Sequence, residues 1–219
     1  MQHTADLKPR SKQSTGGATM KAFISTVLAL WFGLVVLLGA RGAFLRPPDV
    51  PPLPILIGVL APLVAFGAAY LGWGALRAFV LGADAVLLTA IQAWRAGGLA
   101  FLALMAHGLL PGLFAWPAGL GDMAIGVTAP WMAVALIRRP DFVGSPIFKV
   151  WNLLGILDLV VAVSLGALSS GFVPGIAGEV TTAPMAQLPL VLIPAYLVPF
   201  FIMLHLAALL QARQQSPVA

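Results

Sequence analysis

Apolar residues in this chain come in long blocks rather than in alternation. Ala22–Ala40, Ile55–Trp73, Trp116–Ile137, Phe148–Leu168 and Pro189–Leu210 are each blocks of bilayer-crossing length, and the stretch from Leu76 to Ala115 is apolar almost throughout. A spanning helix takes about 20 such residues, so the pattern predicts an all-α polytopic membrane bundle of five to seven helices. The breaks are equally readable. RGAFLRPPDVPPLP, after the first block, is too rich in proline to be helical throughout. Residues 1–21 are polar, rich in Gly, Ser and Thr, and without periodicity, which predicts a disordered cytoplasmic tail; residues 213–219 read as a short C-terminal tail. Met20-Lys21 and Ala40-Arg41-Gly42 resemble a second start and a cleavage site. The block between them nevertheless exceeds the roughly 7–15 residues of a signal core, which favours an uncleaved first span.

The stretch 76–115 admits two readings. In one, 76–92 is an interfacial helix leading to a single span over about 93–110. In the other, 77–94 and 96–115 are separate spans turning at Arg95, Gly97 and Gly98. Basic residues decide. With six spans and the N-terminus inside, Lys8, Arg10, Lys12, Lys21, Arg77, Arg95, Arg138, Arg139, Lys149 and Arg213 lie on the cytoplasmic side, against Arg41 and Arg46 outside. Seven spans would put five inside and seven outside. Cytoplasmic loops carry the excess of Lys and Arg, so the expected spans are about 22–40, 55–73, 93–110, 116–137, 148–168 and 189–210, forming one transmembrane domain over 22–212 with both termini cytoplasmic.

Composition agrees and narrows the function classes. Hydrophobic residues make up 60% of the 219 and charged residues 9%, against roughly 25% charged in soluble domains, and mean hydropathy is +0.99. Six spans leave no room for a soluble catalytic domain. Cysteine is absent, which excludes disulfides, thiolate metal sites and cysteine nucleophiles. The net charge of +5 sits mainly beside the apolar blocks, so it orients the chain in lipid and no nucleic-acid partner is expected. Six short spans without soluble domains are a common form among bacterial inner-membrane proteins, and that is the expected location.

Candidate chemistry lies in the polar residues the blocks contain: Gln92, Arg95, His107, Asp122, Asn152, Asp158 and His205. A charge facing lipid at the bilayer centre costs about 2.5–3.5 kcal/mol or more, so these side chains are expected to face inward. At 100° per residue, Asn152, Gly155 and Asp158 share a 120° arc, and so do Gln92, Arg95 and His107. Arg77, Asp84 and Arg95 would also align if 76–107 were one helix, with snorkelling to the headgroups the plainer explanation for Arg77 and Asp84. Arg95, Asn152, Asp158 and His205 are the expected substrate or proton site, Asp158 pairing with a cation that tunes its protonation, or else simply joining helices as a buried ion pair. HGLLPGLFAWPAGLGD predicts a second, outer pair of His107 and Asp122 at similar depth. Gly119, Gly121 and Gly126 around that aspartate allow close helix approach. Pro194 and Pro199 predict a broken sixth helix with freed carbonyls at Leu190 and Ala195. Tryptophans such as Trp31, Trp73, Trp94, Trp116 and Trp151 near the block ends predict an interfacial belt.

Sharper assignments fall away. No Gly-x-Ser-x-Gly, His-Glu-x-x-His or Walker sequence occurs, one His with one carboxylate is too few ligands for a metal, and His107 and His205 are predicted near opposite faces, too far apart to clamp one haem. No metal, cofactor or enzymatic activity is therefore assigned. The leading expectation is a small-solute permease or a substrate-binding membrane subunit. The alternative is a noncatalytic subunit of a larger membrane complex, with the seams Ala29-x3-Gly33 and Ala162-x3-Gly166 docking partner helices or a second copy of the chain.

Overall fold

The computed structural model describes residues 12–176 and 178–215. Among them it contains helices and no strand: α1 (Lys12–Ala40), α2 (Leu53–Gly72), α3 (Gly74–Leu81), α4 (Ala85–Ile91), α5 (Leu99–Ala106), α6 (Gly112–Arg138), α7 (Pro146–Leu168) and α8 (Val198–Gln214). Two segments extend these elements without a break: a 3₁₀ turn, Gln92–Gly98, joins α4 to α5, and a π-helical turn, Ile193–Leu197, leads into α8. Six stretches are long and apolar enough to cross a membrane: Gly17–Ala40, Leu53–Gly72, Ala85–Ala106, Gly112–Arg138, Pro146–Leu168 and Ile193–Gln214. The all-α six-helix bundle expected from the sequence is the architecture observed.

Several boundaries differ from expectation, three of them for a local reason. Helix α1 already runs from Lys12, so much of the expected tail is helical; residues 1–11 lie outside those described. The interfacial helix expected over 76–92 is instead the short α3, which stops at Gly82, and the third span starts at Ala85 rather than 93. Asp84 sets that start. As the N-cap of α4 it accepts hydrogen bonds from the amides of Val86 at 2.8 Å and Leu87 at 3.4 Å, satisfying donors that a helix start leaves free. Arg77 closes the preceding end: it donates to the carbonyls of Tyr70 (3.2 Å) and Leu71 (2.6 Å) at the end of α2 and stacks on the Tyr70 ring. The alignment of Arg77, Asp84 and Arg95 on one helix face is thus not realised. At the other end of the bundle, α8 follows a π turn, and its span begins at Ile193 rather than Pro189.

Two glycines and a serine close three further ends. Gly42 and Gly108, both at φ +69°, take the left-handed turns that stop α1 and α5, with the amides of Ala43 and Leu109 returning to the carbonyls of Leu38 and Leu104. Ser145 caps α7 through the Phe148 amide, with Pro146 at the first helical position.

Packing is uneven. Helices α4 to α8 form the interior, and α6 lies centrally against the 3₁₀ turn, α4, α5 and α7. Its glycines make this possible: a Cβ at Gly119 would touch the Gly98 carbonyl at 3.1 Å, and one at Gly126 would overlap the backbone of Ala96. Helix α1 contacts the bundle mainly around the π turn, where Trp31 and Phe32 pack on Tyr196 and Val35 joins Val191 and Ala195.

Candidate functional site

A 3₁₀ helix has three residues per turn, so side chains three apart stack on one face. Over Gln92–Gly98 this aligns Gln92, Arg95 and Gly98, all buried, and Thr89 in α4 continues the row. Gln92 donates through Nε2 to the Phe201 carbonyl at 3.2 Å, while its Oε1 and the Thr89 hydroxyl have no protein partner.

Arg95, 2% exposed, is the hub. Its Nε donates to Asp122 Oδ1 on α6 at 2.7 Å, its Nη2 to Asp158 Oδ2 on α7, and its Nη1 to the Gly155 carbonyl at 3.1 Å. The same Nη1 stands 3.1 Å from His205 Nε2 on α8. A guanidinium only donates, so His205 Nε2 presents a lone pair. On the other side of the ring, Nδ1 lies 2.8 Å from Asn152 Oδ1, and the Asn152 amide nitrogen donates to the Phe148 carbonyl at 2.8 Å. The hydrogen-bond network therefore assigns the neutral Nδ1–H tautomer to His205, with the asparagine holding it in place. Trp151 covers the ring edge-on at 5.4 Å and is itself fixed by a 2.8 Å bond from its indole N–H to Thr128 Oγ1. Two carboxylates thus share one guanidinium beside a neutral imidazole.

Glycines let these groups meet. A Cβ at Gly155 would collide with the His205 ring, one at Gly121 with the Asp158 carboxylate, and one at Gly98 with Asp122. The centre is compact because each of three segments presents no side chain where a neighbouring helix inserts one: α7 toward α8, α6 toward α7, and the 3₁₀ turn toward α6.

The four residues expected to form an inner site, Arg95, Asn152, Asp158 and His205, do come together. Asp122 joins them, and the expected outer pair of His107 and Asp122 is corrected. Helix α6 starts at Gly112, which places Asp122 about 15 Å along it, level with Gly98, whereas His107 is the exposed C-cap of α5. Of the broken-helix prolines, Pro194 lies in the π turn and Pro199 in the first turn of α8, both buried. The Leu190 carbonyl is not free as expected, because it accepts from the Ile193 amide at 3.0 Å. The aromatic belt also needs amendment: Trp73, Trp94 and Trp116 are exposed, but Trp151 is buried against the imidazole and Trp31 is half-buried against Tyr196.

A cavity of about 330 Å³ adjoins the centre. It lies between α2, α5, α6, α7 and the π turn, beneath the 41–52 and 169–192 connections, with Asp122 and Arg46 the charged residues on its wall. Arg46 acts as a strap. Its Nη1 donates to the carbonyls of Pro47 (2.8 Å), Pro48 (3.1 Å) and Val50, and its Nη2 to Ser170 at 2.9 Å, joining the two connections. Burial holds this guanidinium below its ordinary pKa, an effect opposed by nearby Asp49. Thr182 folds the second connection inward, its hydroxyl donating to the Gly166 carbonyl at 2.6 Å and its amide to Ser169 at 3.0 Å. The second small-residue seam, expected to dock a partner helix, faces this cavity instead: Ala162 and Gly166 both line it. A second cavity, about 460 Å³, opens at the opposite end beside Asp84 and Gln211. The row Thr89, Gln92, Arg95 runs between the two.

A family described as a domain of unknown function (DUF8737) matches residues 51–213. The chain belongs to this family. The DUF8737 stretch holds every residue of the ionic centre and most of the cavity wall, and leaves α1 outside. No curated protein and no solved structure matches the chain.

Proposed function

We propose that the protein is a small-solute permease, or the substrate-binding membrane subunit of one, that takes its solute into the cavity above Asp122 and couples it to a proton on Asp158. One observation carries the reading: an apolar cavity of ligand size, at the small end of the roughly 300–1,000 Å³ typical of such sites, is floored by a carboxylate belonging to a buried ionic cluster. A purely structural ion pair needs no cavity beside it. Protonating Asp158 leaves Arg95 and Asp122 as a balanced pair, whereas deprotonation adds a negative charge that any occupant of the cavity feels at low dielectric. The excess of Lys and Arg on the side of the second cavity favours the bacterial inner membrane, with both termini cytoplasmic and the 330 Å³ cavity opening outward. Uptake of a panel of labelled solutes into proteoliposomes under an imposed pH gradient tests the coupling. Asp158→Asn is expected to abolish the response to the gradient, and an unchanged response overturns the proton role.

A second reading, a noncatalytic subunit of a membrane complex, draws on α1. Ala29 and Gly33 lie on its exposed face, with nothing within 4 Å of where a Gly33 Cβ would sit, and α1 lies outside the family domain. Purification in mild detergent separates the two: a stoichiometric partner favours the complex, a monomer that binds solute favours the permease.

A further inference from the structure

Building on the reading of the 330 Å³ cavity as a solute site, we propose that its occupant is an organic cation with an apolar body, whose charge is held at Asp122. The argument begins with charge balance at the cavity floor. The groups facing Asp122 are Arg95 from the 3₁₀ turn and, beyond it, Asp158 from α7 and His205 from α8. When Asp158 has released its proton, two ionised carboxylates against one guanidinium leave one negative charge in excess. His205 cannot supply the balance without a rearrangement, because its Nε2 lone pair is committed to Arg95 and its Nδ1 to Asn152. An uncompensated charge at this depth costs several kcal/mol, and a cation placed in the cavity removes that cost as the proton on Asp158 does, so the two exchange for one another.

Only Asp122 of the two acids lines the cavity. Arg95 engages one of its oxygens, Oδ1, and its side chain retains 15% exposure, so a ligand can reach it. Above the carboxylate the wall is apolar. Phe101 and Phe114, both buried, meet edge to face at 5.3 Å beside the space and offer ring surface to a cation. Arg46, the cation on the same wall, is tied to four backbone carbonyls near the mouth, where solvent and Asp49 screen it from the floor. A neutral solute of the same shape would fill the walls and leave the floor unanswered; an anion would meet the excess negative charge directly.

Benzyltrimethylammonium and neopentylbenzene test this, since they differ only in nitrogen against carbon and therefore in charge. Titration calorimetry on the full chain in nanodiscs, with empty nanodiscs subtracted, is expected to show the cation binding at least tenfold tighter, with Asp122→Asn erasing the difference and Ala162→Phe, which fills the cavity, weakening both. Equal affinity for the two ligands overturns the cation assignment while keeping the cavity as a solute site; failure of both to bind the folded wild-type protein overturns both readings. Should Asp122→Asn not fold, the wild-type comparison decides by itself.

Discussion

The first two spans and the last four cross the same bilayer by different means. In α1 and α2 only 6% of the most apolar window is buried within the protein; in the span ending with α8 the share is 50%. Val64, Leu60 and Ile57 of α2 point outward, and Cβ atoms added at Gly67 or Gly72 would meet nothing within 4 Å. On α6, by contrast, Gly119, Gly121 and Gly126 are all in close contact with neighbours, two of them opposite the 3₁₀ turn and one opposite an aspartate. Crossing a membrane demands only apolar length, because lipid tails accept Leu and Val as readily as a protein core does. Building a polar interior demands that backbones approach closely enough for each buried charge to find its partner. Similar residue types therefore carry little energetic weight in one half of the molecule and a great deal in the other.

The sharpest way to break this contrast is at the hub. Arg95→Met leaves Asp122 and Asp158 buried without their cation, a change expected to cost about 3–5 kcal/mol or to prevent folding; thermal unfolding in mild detergent followed by circular dichroism measures it. Adding Asp122→Asn and Asp158→Asn to that variant is expected to recover most of the loss, and a single mutant within 1 kcal/mol of wild type, by the same estimate, would show the cluster to be structurally idle. Next comes Gly126→Ala, whose methyl must displace the Ala96 backbone rather than a side chain. The expected loss is about 1–3 kcal/mol, read by the same melt. The smallest effect belongs to Gly67→Ala in α2, which has open space and a gain in helix propensity. There the expected change is zero to about 1 kcal/mol of stabilisation, and a clear loss would mean that α2 has a packing partner on that side.

Most of the helical layout was legible in the sequence because membrane spans announce themselves by length and by the distribution of Lys and Arg. The cost of lone charge in lipid likewise predicts that Arg95, Asn152, Asp158 and His205 meet. A fourth span starting at Trp116 puts Asp122 one helical turn nearer the membrane surface and beside His107, whereas the actual start of α6 at Gly112 carries it down to Gly98. The 3₁₀ turn that stacks Gln92 on Arg95 left no mark in QAWRAGG that distinguishes it from an α-helix. Nor did Arg46 signal that it would tie two connections together, since its partners are backbone carbonyls, which every residue has. Gly155 was legible as a neighbour of Asp158 on one arc, but its closeness to an imidazole from another helix belongs to tertiary structure alone.

The π turn at Ile193–Leu197 has a consequence for any comparison within the family. Widening the ring from i→i+4 to i→i+5 admits one surplus residue, which turns all that follows by about 100°. Ahead of the turn, Val191 joins the contacts with α1; beyond it, Phe201 and His205 look toward the third and fifth spans. The last span thus works as a vernier, offering a different stripe to each neighbour, and a relative of equal length that lacks the π turn would have to carry its imidazole one position nearer that turn to meet the same arginine.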